Sequence, residues 1–582
     1  MKRIFKTSIS ILIVGISLSF ASCNTIRVTS RTISYYSLIN EGQGGKDIAS
    51  YKKGDANCLT LLGQDHLPYL TLETYKNMLI PYINNGFDYK VTHSNGVDLL
   101  TISSNSNPIF MMEFSPKAKT ITYQGATDGS LSVEKDYSNS SLMLGMKVEG
   151  SIVVNSKPYT FSWSKTSYNV FTRNNQTYYP LSLLDSVISP NTGIHHYYSY
   201  KNIYQYINDE ALTKVAFVRD GNTYYAFTEA LEVINNDIKT MPEYLRQDRY
   251  NAFLFIFENL YGLKTTRKID SMIDYFNNLG LLDDFMNEDY MARNQAFANI
   301  FTHLEDAHTN EGDKFNTPWT TGTPITYGPK INKMIEVVTK LSEERKKFYS
   351  EVNQEEGSIV YLGDKQEVAY FPFNGFAFAN DIYNDDHSIK ESLYEQDTFF
   401  HMVKQLEEIK NKGSVKKVIV DISQNGGGTL GVLMKVLTLF SKNNSSKIFL
   451  KMDNSGYIEK DVTIIDSNLD GKYDLDDVYG DDFQFYLLTS CFSFSCGNAL
   501  PFLAQQEKIA TIIGNDSGGG ECSVAEAYLP SGEYFVHSSL MHIGFVENDC
   551  DRWIGSEETA KAERIIDYTK YYDTSTLLNV VR

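Results

Sequence analysis

Cysteine is scarce in this sequence, with six among 582 residues, and so are tryptophan, with three, and proline, with 14. A chain this long can build its cores without dense disulfides. Low proline and ample aromatics exclude collagen-like and disordered compositions. Positive charge is also short: 53 Lys and Arg face 72 Asp and Glu, for a formal charge of −19. Such a balance repels phosphate backbones, so nucleic acid is not an expected partner. Beyond the N-terminus no apolar run reaches the ~18 residues of a membrane-spanning helix. What remains is a globular composition, 42% hydrophobic, 21% charged and 13% aromatic. It is enough for several folded units.

The N-terminus differs from the rest. Lys2, Arg3 and Lys6 precede an apolar run from Ser8 to Phe20. That run is shorter than the ~20 residues of a spanning helix and suits the core of a signal peptide. It ends in Phe20-Ala21-Ser22-Cys23, which resembles the lipobox of bacterial lipoproteins. The resemblance implies removal of residues 1–22 and attachment of lipid to Cys23. The protein would then be held on a membrane, outside the cytoplasm, in the bacterial cell envelope. Five cysteines remain, Cys58, Cys491, Cys496, Cys522 and Cys550, an odd number that leaves at least one free. No Cys-x-x-Cys pair or His/Cys cluster occurs, so a structural zinc site is not expected.

Residues 23–238 read as a β-rich region. Short alternating runs such as Val97 to Ser103, Gly150 to Asn155 and Tyr159 to Trp163 are separated by turn signals at Asn95-Gly96 and Asp128-Gly129. A helix is expected from Leu181. At 239–310 the apolar spacing becomes helical, with Leu245, Phe253, Leu254, Phe257 and Leu260 on one face. This unit ends in a polar loop, Asp306-Ala307-His308-Thr309-Asn310. Residues 311–357 read as a linker or lid with one helix. From 358 to 582 strands and helices alternate, the pattern of a layered α/β domain. The fold class is therefore α/β, preceded by a helical unit and a β-rich region.

Two segments carry chemistry. In the first, the buried strand Val418-Ile419-Val420-Asp421 runs through Asn425 into Gly426-Gly427-Gly428 and then a helix. Glycines let backbone approach a ligand, and a helix start offers free N–H groups to negative charge. No Lys-Ser/Thr follows, so this is not a P-loop. A plain strand-to-helix turn has the same pattern. In the second, Phe485 to Thr489 leads into Ser490-Cys491-Phe492-Ser493-Phe494-Ser495-Cys496-Gly497-Asn498. A serine there can be a nucleophile served by helix N–H groups, or simply a helix N-cap. A Cys496 thiolate at a helix start is the rival nucleophile.

In this order, the two segments resemble the tail-specific, or C-terminal-processing, serine peptidase family. The Asp421 to Gly428 turn is similar to its Asp-x-x-x-Asn-x-Gly-Gly segment. Ser495-Cys496-Gly497-Asn498 is similar to its Ser-Ala-Gly-Glu segment, and Ile513-Gly514-Asn515-Asp516-Ser517-Gly518-Gly519 to the turn that follows. The resemblance covers about 240–582 and implies a crotonase-like catalytic domain acting on protein or peptide substrates. The stretch between Asn310 and Ser358 is too short for the PDZ domain found in many members, so none is expected. Ser495 falls on the nucleophile, with backbone N–H groups of Cys496 and of Gly427 or Gly428 as the oxyanion hole. Many members activate the serine with a lysine; Gly520 and Glu521 stand at that place here. Tricorn-type members use a histidine instead, and His308 in its His-Thr segment is similar to theirs. Glu563 is the nearest match to their glutamate, with Glu547 and Glu558 as rivals. His537 and His542 are competing bases. No cofactor is implied for catalysis.

Separately, Asp466, Asn468, Asp470, Asp474 and Asp477 place oxygens at loop positions 1, 3, 5, 9 and 12, with Gly471 at 6. That is the order of an EF-hand calcium loop, with Asp477 in place of the bidentate Glu. A structural calcium ion is the one metal expected. An acidic surface turn is the alternative.

Overall fold

The computed structural model describes residues 26–37, 52–80, 87–104, 107–125, 140–192, 194–198, 202–207, 241–311, 327–530, 533–547 and 552–582. Residues 1–22, Cys23, Asp128-Gly129 and Cys550 lie outside them. Among the described residues no helix is long and apolar enough to cross a membrane.

The C-terminal half is organised by a six-stranded sheet. Its order is Val360–Leu362, Val368–Pro372, Lys417–Asp421, Gln484–Thr489, Ala510–Gly514 and Arg564–Ile565. All neighbours after the first pair run parallel. Parallel strands are covered on both faces, so they are apolar throughout rather than alternating. Side chains still alternate between faces. Val418, Val420, Phe485, Leu487 and Ile512 enter one core with the helices Thr398–Lys412, Leu430–Leu439 and Cys496–Glu507. Ile419, Tyr486, Leu488 and Ile513 enter another with Pro329–Glu351 and Thr574–Val580. The strand ends at Asp421, Thr489 and Gly514 lie side by side, and the loops leaving them form one rim.

A second, seven-stranded sheet packs on this domain. It runs Asn310–Glu311, Tyr534–Val546, Ser446–Met452, Tyr457–Ile465 and Met146–Val154, with Cys522–Tyr528 and Trp553–Gly555 also paired to Tyr534–Val546. Met146–Val154 belongs in sequence to the β-rich region, yet it zips along Tyr457–Ile465. The residues before it are pinned by Lys435, whose fully buried ammonium donates to the carbonyls of Ser141 (2.6 Å) and Leu144 (3.2 Å). Burial pushes that lysine's pKa down to about 8.

The N-terminal region holds a second seven-stranded sheet and a five-stranded meander. In the meander, Asn95 and Gly96 at φ 54° and 75° close the hairpin between Phe87–Ser94 and Val97–Ser104. The helix at Leu181–Thr192 starts where the sequence places it. The helical unit contains Glu243–Leu260, Met272–Asn278 and Tyr290–Leu304. Ser271 caps the second, accepting the Asp274 N–H, and Asp289 caps the third. This unit is not separate from the β-rich region. Its Phe253, Phe257 and Phe297 share one core with Leu70, Tyr123 and Trp163, and with Phe535 of the C-terminal half.

Candidate active site

The rim of the parallel sheet gathers three turns: 422–428, 490–495 and 514–520. Hydroxyls lace them together. Ser493 Oγ donates to Ile422 O (2.8 Å) and Ser490 Oγ to Ser423 O (2.6 Å). The Phe494 N–H donates to Asn425 O (3.1 Å), the Gly518 N–H to Ser493 O (2.8 Å) and the Ser495 N–H to Gly519 O (2.9 Å).

Ser495 sits at the start of Cys496–Glu507 but does not cap it. Its side chain makes no capping bond, and its φ of 57° with ψ of −126° is not the extended geometry of an N-cap. A non-glycine residue held there stores strain, a feature concentrated at reactive turns. Gly427 lies directly against it. A Cβ on Gly427 would stand 2.7 Å from Ser495 Cβ and 3.0 Å from Oγ. The sequence left open which glycine serves an oxyanion. Gly427 has its N–H taken by Asn425 Oδ1 at 2.8 Å. The N–H groups of Gly428 and Cys496 carry no hydrogen bond among the described residues. The two residues adjoin, since Cys496 Sγ lies 3.1 Å from Gly428 O. The Cys496 thiol is fully buried and its pKa is pushed up to about 12, the opposite of an activated thiolate.

His308 reaches the same rim from the helical unit. Asp306 builds its loop, accepting from the His308 N–H (3.1 Å), Thr309 Oγ1 (2.6 Å), Tyr261 OH (3.2 Å) and Ser538 Oγ (2.8 Å). The imidazole packs edge-on against Phe494, the residue before Ser495, with centroids 4.6 Å apart. It is 6% exposed, and its Nδ1 has no partner. Burial holds its pKa below the usual histidine value; Asp306 opposes that and Lys330 adds to it. The imidazole is therefore neutral at neutral pH. The competing histidines are engaged elsewhere. His537 Nδ1 is 3.0 Å from Ser538 O, and His542 Nδ1 is 2.7 Å from Glu521 Oε1.

The carboxylate at this rim is not Glu563. Glu563 Oε1 accepts from the Ile512 N–H (3.2 Å) and Gln505 Nε2 (3.4 Å), on a cleft of about 1150 Å³ shared with Lys416 and Glu507. That cleft lies toward the other end of the strands. Glu547 pairs with Arg552 at 3.8 Å, and the Glu558 side chain is outside the described set. Glu557, which the sequence reading passed over, takes the place instead. Its Oε2 accepts the N–H of Gly520 (2.7 Å) and of Glu521 (3.1 Å). A Cβ on Gly519 would meet it at 3.3 Å. Burial raises its pKa, with Lys330 opposing. Only this bonding pattern singles it out from its neighbours in Ser556-Glu557-Glu558.

The acidic loop is held by its own backbone. Asp466 accepts from the N–H of Asp470 (3.1 Å) and Gly471 (2.9 Å), Asn468 from that of Asp470 (2.9 Å), and Asp470 pairs with Lys472 Nζ (2.7 Å). Asp477 accepts from Ser467 (2.8 Å), and Asp474 from Asp476 (3.0 Å). As placed, no three of these four aspartates bring oxygens within 4.8 Å of one another.

No curated protein matches the chain. Among solved structures, a protein from Parabacteroides merdae, named provisionally as a peptidase, is 16% identical, covering 58% of this chain and 97% of its own at a TM-score of 0.37. Mature CPAF is 10% identical (60% and 96% covered, TM-score 0.36), and a lipoprotein from Streptococcus agalactiae is 10% identical (61% and 96%, TM-score 0.32). With TM-scores below 0.5, none assigns a role to any residue here. Residues 388–539, which hold the Asn425 to Gly428 turn, Ser495 and the Gly518 to Glu521 turn, match the model of peptidase family S41, so this part of the chain is similar to that family.

Proposed function

We propose that the protein is a serine endopeptidase of the bacterial envelope, cleaving protein or peptide substrates through an acyl-enzyme on Ser495. The observation that carries this is Ser495 itself: a strained, uncapped hydroxyl at a helix start, beside two unbonded N–H groups. Ser495 Oγ attacks the scissile carbonyl and its proton passes to the neutral His308. The N–H groups of Gly428 and Cys496 hold the oxyanion. His308 returns the proton to the leaving amine, and water then repeats the sequence on the acyl-enzyme. The catalytic domain is read as crotonase-like, without a preceding PDZ domain.

In this reading Glu557 replaces Glu563. It acts as a positioning residue, fixing the Gly519-Gly520 turn whose carbonyl holds the Ser495 N–H. Removing its charge weakens two charge-assisted bonds, each worth about 1.5–3 kcal/mol at most. Glu557→Gln is expected to lower kcat by about 10–100-fold, with little change in KM. Glu563→Gln should leave kcat unchanged. The reverse pattern in steady-state kinetics on a peptide substrate would return the role to Glu563.

We further propose that lipid on Cys23 tethers the mature chain to a membrane. Radiolabelled fatty acid should enter the wild type and not Cys23→Ser. Label retained by the serine variant would refute the anchor.

A second reading has an observation of its own. Asp306 bonds the backbone of His308 rather than its ring, and no lysine stands at position 520 or 521. A peptide- or glycan-binding lipoprotein on a retained peptidase fold would show the same.

A further inference from the structure

The scarcity of cysteine and the absence of Cys-x-x-Cys spacing argued against zinc. Folding changes that argument at one place. Cys522 opens the strand Cys522–Tyr528, which pairs with Tyr534–Val546, and the register sets Cys522 opposite His542. Glu521 precedes Cys522 in the chain. One ligand atom from each of Glu521, Cys522 and His542 lies within 4.8 Å of the others. No other set of three His, Cys, Asp or Glu among the described residues meets that condition.

We propose that Glu521, Cys522 and His542 form a binding site for one divalent transition-metal ion of the zinc class. Thiolate, imidazole and carboxylate are the donor types this ion takes. The spacing suits it. Cys522 Sγ is 3.8 Å from His542 Nε2 and 4.0 Å from Nδ1, and His542 Nδ1 is 2.7 Å from Glu521 Oε1. Bond lengths of about 2.3 Å to sulfur and 2.0–2.2 Å to nitrogen or oxygen put tetrahedral donors about 3.4–3.6 Å apart, close to the sulfur–nitrogen distances; the shorter His542–Glu521 contact is a hydrogen bond that opens when both take the ion. The ion replaces the thiol proton, which leaves to solvent.

The surroundings are those of a formed site rather than a chance meeting of side chains. All three residues are at most 3% exposed. Glu521 is oriented on every side. Thr266 Oγ1 donates to its Oε1 (3.1 Å), the Glu557 N–H to its Oε2 (3.2 Å), and its carbonyl accepts the Ile543 N–H (2.8 Å). Such outer bonds fix metal ligands in place. Gly262 is packed so closely that a Cβ there would stand 3.0 Å from Cys522 Sγ. The ion would clip the two strands together beside the turn that carries Glu557. It is independent of whether Ser495 is catalytic, and its test reads binding.

Cobalt(II) reports thiolate ligation directly. Titrating the purified chain, freed of metal by a chelator, should give a thiolate-to-cobalt charge-transfer band that saturates at one equivalent and is displaced by zinc. Cys522→Ser should abolish the band. His542→Gln should weaken cobalt binding by at least about a hundredfold, the upper end for loss of supporting groups alone. Cys491→Ser should bind as wild type. Circular dichroism establishes that each variant is folded. If Cys522→Ser does not fold, His542→Gln and Glu521→Gln decide by loss of affinity. No charge-transfer band in wild type, or a band that survives Cys522→Ser, overturns the site.

Discussion

Ser495→Ala is expected to remove peptide hydrolysis, with a loss on the order of 10⁶ in kcat as for other serine nucleophiles, while the protein remains folded. The first half rests on the proposed nucleophile, and the structure gives the second. The Ser495 hydroxyl caps no helix and accepts no described bond, so its removal leaves no orphaned partner. The change in stability should stay within about 0.5 kcal/mol. Ser495→Gly extends the test. At φ 57° and ψ −126° serine bears strain of about 1–3 kcal/mol, while glycine adds about 0.5–1 kcal/mol of unfolded-chain entropy. The glycine variant should be inactive yet more stable than wild type by about 1 kcal/mol. Denaturant melting of the three proteins, together with fluorophosphonate labelling, reads both effects. Labelling of Ser495→Ala at the wild-type rate would show that Ser495 is not the nucleophile. A wild type that neither labels nor cleaves any peptide in a broad library would put the peptide-binding reading in place of the enzyme.

The parts of this site that the sequence displays are those built from local pattern. Val418-Ile419-Val420 is apolar on both faces because both faces are covered, and its glycines follow within one turn. Ser495 is visible for the same reason: a strand, a polar cluster and a helix start fall in consecutive residues. The helix at 243–260 announces itself by apolar spacing. What is hidden depends on contacts between distant residues. Glu557 stands among several acidic residues, and only the N–H groups of Gly520 and Glu521 select it. The strand Met146–Val154 reads as part of a β-rich region, yet its partner is Tyr457–Ile465, far along the chain. The core that joins the helical unit to the N-terminal sheets is equally non-local, so a boundary drawn at 238 follows a change of pattern but divides one core. The Glu521, Cys522 and His542 set needs the strand register before it exists at all. The acidic loop combines both. Its spacing is legible as a motif, and the local N–H groups that Asp466 accepts appear only in the fold.

His308→Ala should cut hydrolysis by at least about a hundredfold, the lower end for loss of a general base. The serine is a weak nucleophile near its free pKa, and no lysine occupies position 520 or 521 to take its proton. His308 is the histidine at the rim whose Nδ1 is without a partner, whereas His537 and His542 have theirs bonded. Its protonation then sets the acid limb of activity. Burial, first, and Lys330 lower its pKa below 6.5, and Asp306 only partly restores it. The base is neutral above that depressed value, so fluorophosphonate labelling should hold through pH 6.5 and fall only at lower pH. Stability moves in the same direction for a separate reason. A histidine kept neutral by the fold binds its proton more readily in the unfolded chain, so unfolding gains protons as pH falls below about 6.5. His537, also lowered by burial, adds to this. The two effects are separable by measuring labelling and circular dichroism on the same samples. The labelling limb should precede unfolding in wild type and disappear in His308→Ala, whose residual slow labelling should be flat over that range. A variant that labels as fast as wild type with an unchanged acid limb would remove His308 from the mechanism.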